Sequence, residues 1–433
     1  MTPRAWAACA SCAVVAAAAV AIGAGAAASA QTIDTQRPRT LTVGAPAVGA
    51  RVDRLDTART GRARTGLPVG GIRVEWKASL GVSVDAPPLV DGAGNLLLVG
   101  TRGEVVSIAG DGSERWRLST GAMQPGPGAL LADGTLVFVD AAGEAIAVRD
   151  ATVRWRVHFG RGDAAHPAPV PLDDGGIVVA TTRDLALLDA EGHERARTTL
   201  PEPTAVPLVA ALGKIVAITA SGVVWTWTPG AVEATRVGSF GGPVDDGAGL
   251  SDDHTLLAVT AGHAHLTAVD LVRGTTTTRA VVPAGLWLGP PALLGDTAFL
   301  TLLGPTSELA VGVDGAGNDV LRAPLVTRLA PLPLLADGGV APLVALPHTP
   351  PIVDGAGTLV FATTDGTVGV VANGVVSTLP DTCPPAPGAR GAAAPTAGLA
   401  PSRPGAFVAA CRAGTLVSFR GLAVAGDPAT PHL

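Results

Sequence analysis

Aromatic residues make up only 3% of this 433-residue chain, tyrosine is absent, and lysine occurs just twice, at Lys77 and Lys214. Charged residues amount to 15% and the formal net charge is −6. That balance excludes the basic face on which binding to a nucleic-acid backbone depends. Beyond the first thirty residues there is neither a long amphipathic helical pattern nor an apolar run that would cross a bilayer. Cysteine is scarce, with four residues. What is abundant is alanine, valine, glycine and proline, and hydrophobic residues reach 47%, ample for a buried core. At roughly 150 residues per domain the length suggests about three domains, unless repeats defeat the division.

The N-terminus reads as an export signal over residues 1–30. Arg4 precedes an apolar run of alanine, valine and glycine that ends in Ala28-Ser29-Ala30 before Gln31, a small-x-small cleavage pattern. Retention as a membrane anchor is the alternative. Cys9 and Cys12 lie before the apolar run, whereas a lipidated cysteine would follow it. Cleavage leaves Cys383 and Cys411, an even pair that in an exported chain favours a disulfide over two buried thiols. No Cys/His spacing then remains for a zinc site. Residues 31–70 show no hydrophobic period and carry seven arginines against three aspartates, which predicts a solvated, flexible linker. Contact of this basic stretch with anionic lipid or wall polymer is the alternative.

The remainder is a repeat. Segments beginning at Leu89, Leu130, Pro171, Leu208, Gly249, Ala292, Ile352 and Leu399 share one grammar. Each has a short apolar stretch, a Gly/Asp turn, an apolar strand, a second turn and another strand. Most steps lie near 40 residues, as in LVDGAGNLLLVGTRGEVVSI and LLADGTLVFVDAAGEAIAV. That period, with about four short strands per unit, predicts an all-β fold: a β-propeller of four-stranded antiparallel blades. One sheet cannot cover its own two apolar faces, but radial stacking buries each face on a neighbour. A parallel β-solenoid, the rival, repeats at a shorter period. Eight units predict eight blades over residues 71–421, with an insertion at about 325–347, a Pro/Ala/Gly loop around 381–401 and a tail at 422–433. If the last unit pairs with the strand around Val74–Ala78, the two chain ends close one ring together. Seven blades are the alternative.

Trp76, Trp116 and Trp155 recur once per unit, in EWKASL, RWRLST and RWRVHF, and are read as filling gaps between blades. The stretch from Ser107 through Ala109-Gly110-Asp111-Gly112 to Trp116 resembles the repeat of the pyrroloquinoline-quinone-like propellers, in which an A-x-D-x-x-T-G stretch precedes a tryptophan. Leu188-Asp189-Ala190-Glu191-Gly192 is similar, although Ala196 stands where the tryptophan would be. The segments at Asp270 and Asp314 keep only the Asp-turn-Gly portion. No recurring Gly-His…Trp-Asp pair points to WD repeats.

The resemblance raises quinone-dependent dehydrogenases. Those enzymes hold their cofactor on the ring axis with calcium, a base aspartate and usually a disulfide between adjacent cysteines. This chain is shorter and has no adjacent cysteine pair, and its Asp173-Asp174-Gly175, Asp245-Asp246-Gly247 and Asp252-Asp253 read as hairpin turns. The DGAGN stretches at Asp91 and Asp314 and DGAGT at Asp354 lack the terminal Glu of a calcium loop. His263 and His265, two apart on an expected strand, would share one face and reach one metal with His254 or Asp253; exposed histidines near a turn are the plainer reading. Trp225 and Trp227 fit blade packing better than a sugar platform. Ser221 and Ser239 lack the G-x-S-x-G elbow of a hydrolase nucleophile. No catalytic, cofactor or metal residue is therefore assigned. The expectation is a noncatalytic, exported scaffold, periplasmic or secreted, that docks an envelope protein partner through loops 121–128, 160–169 and 325–350. This is the role of the family's propeller subunit in outer-membrane β-barrel assembly, usually a lipoprotein. An axial binder of a small ligand or carbohydrate, descended from the dehydrogenases, is the alternative.

Overall fold

A computed structural model describes residues 50, 52, 54–122, 125–159, 168–251, 254–282, 285–327, 349–380, 382–383 and 396–424. The expected signal segment, the first part of the expected linker and nearly all of the 325–347 insertion lie outside these residues, as do Asp252 and Asp253.

The described residues form eight four-stranded antiparallel sheets, arranged as an eight-bladed β-propeller. Blades 1 to 7 span residues 89–119, 129–158, 170–199, 209–239, 244–281, 286–327 and 349–379. In each, the first strand lies innermost and the chain steps outward. Blade 8 is composite. Strands Thr396–Arg403, Ala406–Cys411 and Thr415–Val424 supply its inner part, and Pro68–Ser79 pairs onto the last of them with Val74 opposite Phe419 and Lys77 opposite Val417. The two ends of the repeat region thus close the ring through one sheet. The propeller begins at Pro68 rather than 71 and extends through Val424, so Leu422 to Val424 are strand and not tail.

Burial follows position within a blade. Middle strands such as Leu136–Val139 and Ile177–Ala180 are covered on both faces, which is why they read as unbroken apolar runs. Outermost strands such as Thr152–His158 alternate between exposed and half-buried residues. The hydrophobic clusters lie between blades: Leu97 and Val105 of blade 1 pack in one cluster with Phe138, Ile146 and Val148 of blade 2. Each such side chain contributes about 1.5–3 kcal/mol on burial.

Trp76, on the outermost strand of blade 8, donates its indole N–H to the carbonyl of Gly110 in blade 1 at 3.1 Å. Trp155 of blade 2 does the same to Ala190 of blade 3 at 2.9 Å. The rings lie against Gly112 (φ 90°) and Gly192 (φ 86°), where a Cβ would come within 2.9 and 2.6 Å of ring atoms. Trp116 occupies the equivalent strand of blade 1 and packs on the cluster containing Val148, but its buried indole N–H has no acceptor among the described residues. The equivalent turn of blade 2 is a tighter, two-residue one through Asp150 (φ 46°) and Ala151 (φ 59°). Trp227 is fully buried and donates to the carbonyl of Ala231 at 2.9 Å. Trp225 packs on the same cluster of blades 3 and 4, so this pair serves packing.

Cys383, just after blade 7, is joined to Cys411 in a middle strand of blade 8 with Cα atoms 5.5 Å apart, and both are fully buried. The bridge ties the two blades beside the ring closure.

Candidate functional site at the ring axis

The stretch expected to be a solvated linker does not behave as one where it is described. Ala50, Val52, Arg59, Ala63 and Leu67 are each no more than 3% exposed. The segment runs along the innermost strands and exchanges hydrogen bonds with them. Backbone N–H groups of Ala210, Leu250, Leu293 and Val353 donate to the carbonyls of Thr57, Ala58, Thr60 and Gly61 at 2.7–3.0 Å. Two of the segment's arginines are bound by backbone carbonyls instead. Nε of Arg59 donates to Leu208 O at 2.9 Å, and its Nη2 to Ala168 O and Pro169 O, each at 3.0 Å. Arg54 donates to the carbonyl of Pro291.

This internal segment divides the axis into two hollows. At the end where the inner strands begin, a funnel of about 190 Å3 has Arg54, Arg59 and Gly61 as its floor. Its wall includes Pro87, Pro127, Pro207, Pro290 and Pro350, which precede or interrupt successive inner strands, together with Asp246 and Arg412. Proline at these positions removes donors that no neighbouring strand would accept. At the opposite end, a hollow of about 520 Å3 is bordered by Asp56, Thr60, Arg62, Arg64 and His254. The Asp56 carboxylate accepts the Thr60 amide at 2.9 Å and the Thr60 hydroxyl. Burial nevertheless holds its pKa above the ordinary aspartate value, outweighing those bonds and the charges of Arg54 and Arg64.

The two histidines do not share a strand face. His263 precedes the strand His265–Asp270 in a turn, with φ 69°. Its Nδ1 lies 2.9 Å from Trp287 O and 3.4 Å from Asp246 Oδ2, while its amide donates to Asp245 at 2.7 Å. Burial raises the Asp245 pKa despite that amide and the neighbouring imidazole. His265 borders a separate hollow with Phe240, Pro243 and Thr267. His254 stands at the far end of strand Thr255–Thr260, on the opposite side of the blade. The i, i+2 rule fails here because the turn breaks the alternation it assumes.

The acidic turns are used internally. Oδ1 of Asp91, Asp314 and Asp354 each accepts two amides, two and four residues on, at 2.8–2.9 Å. Asp174 lies in a hairpin turn and accepts Gly176 N at 3.0 Å. Asp245 and Asp246 instead lie within the inner strand Val244–Leu250, not in a hairpin turn. One acidic group that sequence reading passed over, Asp189, Glu191 and His193, brings ligand-type atoms within 4.8 Å of one another. There Asp189 is already bound by the amides of Glu191 and His193 and by Arg195.

A closed ring of eight four-stranded blades defines a β-propeller, and comparison with known proteins narrows the class. The family model of the outer membrane protein assembly factor BamB matches residues 68–281. BamB from Moraxella catarrhalis is 17% identical, with 81% of this chain and 99% of that chain covered and a TM-score of 0.57. The quinohemoprotein alcohol dehydrogenase of Comamonas testosteroni is 12% identical, with 89% and 82% covered and a TM-score of 0.60. A computationally designed protein, Ika8, is 12% identical, with 79% and 98% covered and a TM-score of 0.57. No curated protein matches the sequence. Residues 68–281 thus match the pyrroloquinoline-quinone-like repeat, and the solved structures share the β-propeller fold.

The funnel does not fit the quinone of dehydrogenases that share this fold. The floor of the funnel is the chain's own segment, with its guanidinium groups bound to backbone carbonyls. About 190 Å3 of space falls short of the ~300 Å3 at which pockets begin to enclose a ligand of that size.

Proposed function

We propose that this protein is an exported, noncatalytic scaffold of the bacterial cell envelope that holds protein partners on its rim loops. The observation that carries this reading is the self-filled axis. Residues 54–67 close the funnel from below and leave a separate hollow only at the opposite end of the axis, and this reading assigns partner binding to the ring of loops around the funnel. Those loops are fixed by eight stiff blades and carry little regular structure of their own, the usual setting for recognition by a rigid scaffold. The match of residues 68–281 to a family model named for outer membrane protein assembly supports an envelope partner.

The test is capture of partners from an envelope extract by the full chain, with and without chelator, compared with variants bearing charge substitutions in the rim loops 80–88 and 200–208. The reading expects an envelope protein retained through chelation and lost from the rim variants. Capture unaffected by either rim change, or thermal stabilisation by a quinone, metal or sugar with no protein captured, would reverse it in favour of an axial ligand site.

A further inference from the structure

The backbone of residues 50–67 meets blades 1, 2, 4, 5, 6, 7 and 8 in chain order, while the side chains of Arg54 and Arg59 cross to blade 6 and to blades 3 and 4. The carbonyl of Ala50 accepts Val90 of blade 1, and Val52 bridges Ala129 of blade 2. The Arg59 side chain reaches Ala168 and Pro169 at blade 3 and Leu208 at blade 4. Thr57, Ala58 and Thr60 accept from blades 4, 5 and 6, Gly61 and Ala63 pair with Val353 of blade 7, and Gly66 accepts Gly405 of blade 8. The segment makes one circuit of the ring before entering the outermost strand of blade 8.

It has almost no regular structure of its own. Its apolar side chains complete clusters that belong to the blades: Leu55, Ala63 and Leu67 join the core spanning blades 7, 8 and 1, Ala58 that of blades 4 and 5, and Val52 that of blades 2 and 3. The segment folds into turns, with left-handed Arg54, Leu55, Arg59 and Gly61 and with Gly61 N–H bonded to Arg54 O at 3.1 Å, and its outward carbonyls accept single inner-strand amides. Selectivity comes from the three carbonyls around Arg59. Their spread suits the planar fork of a guanidinium and not the compact ammonium of lysine.

We propose that the inner wall of this ring is a peptide-binding site for one turn-forming, arginine-bearing segment, that residues 50–67 are its built-in occupant, and that Arg59 is the anchor. The segment is a ligand carried in cis, joined to the ring at residue 67 and otherwise held by noncovalent contacts.

The experiment inserts a protease recognition sequence between Gly70 and Gly71 of the full chain, at the irregularity between Val69 and Ile72 where the strand pairing is already interrupted. After cutting, the N-terminal fragment is expected to co-elute with the ring, and a labelled peptide of residues 50–67 to exchange into it. Arg59→Lys in the chain is expected to release the fragment ~10-fold faster or more, from the loss of charge-assisted hydrogen bonds. Should that variant fail to fold, the same comparison is made with Arg59→Lys placed in the labelled peptide, using the cut wild-type ring. Prompt release of the fragment from a ring of unchanged stability overturns the proposal, and equal binding of the arginine and lysine peptides overturns the role of Arg59.

Discussion

Nε of Arg59 lies 2.9 Å from the carbonyl oxygen of Leu208, 149 residues away in sequence. A guanidinium with no solvent exposure is tolerated because three carbonyls replace its water. Substituting Arg59→Met keeps an unbranched apolar stem, removes the guanidinium and leaves those carbonyls buried without a donor. The expected loss is at least about 3 kcal/mol of stability, measured by chemical denaturation. A near-neutral effect would mean that the segment is not held as described.

The tryptophans separate packing from hydrogen bonding. Trp155→Phe removes a bond to the Ala190 carbonyl and should cost about 1 kcal/mol beyond the lost ring area. Trp116→Phe removes an indole N–H that has no acceptor among the described residues, so its cost should be smaller. Thermal melts of the two variants side by side check the difference.

Gly192→Ala and Gly134→Ala form a second pair. Both glycines have φ 86°, but a Cβ at Gly192 meets the Trp155 ring at 2.6 Å whereas one at Gly134 meets nothing within 4 Å. Gly134→Ala should cost only the left-handed strain, about 1–2 kcal/mol. Gly192→Ala should cost clearly more and disturb tryptophan fluorescence.

Removing the Cys383–Cys411 bridge by a double serine substitution should lower stability by about 2–4 kcal/mol. Because the bridge joins blades 7 and 8, limited proteolysis should first cut near that junction. Cutting elsewhere first would show that the closure is not the weak point.

Stability should depend on pH through Asp56. Its pKa is raised by burial in the folded state, so the contribution of its protonated form is complete below the ordinary aspartate value. That contribution is lost as pH rises through the raised value. Asp245 shifts in the same direction and for the same first cause. Asp56→Asn is therefore expected to flatten the fall in stability on moving from acid to neutral pH. An unchanged slope would contradict this.

The blades were legible in the sequence because burial on two faces writes apolar runs at a fixed spacing, and turn geometry writes Gly and Asp beside them. Pairing of Val74 with Phe419 was legible for the same reason, since an incomplete last unit needs a strand from elsewhere. The axial segment was not. Its hydrogen bonds go singly to different blades, so residues such as Leu55, Ala58 and Leu67 follow neither the strand nor the helix period. Arg59 looks solvent-seeking until its carbonyl partners are known. His263 sits in a left-handed turn that ends the alternation aligning it with His265, in keeping with the plainer reading of histidines near a turn.

The most direct measurement is hydrogen–deuterium exchange of the full chain, read over residues 50–67 and over the inner-strand amides of Ala210, Leu250, Leu293 and Val353. A self-filled axis predicts slow exchange in both sets, comparable to the middle strands of the blades. Exchange of residues 50–67 at the rate of an unfolded chain, with the four inner-strand amides unprotected, would contradict it and return the channel to an external ligand.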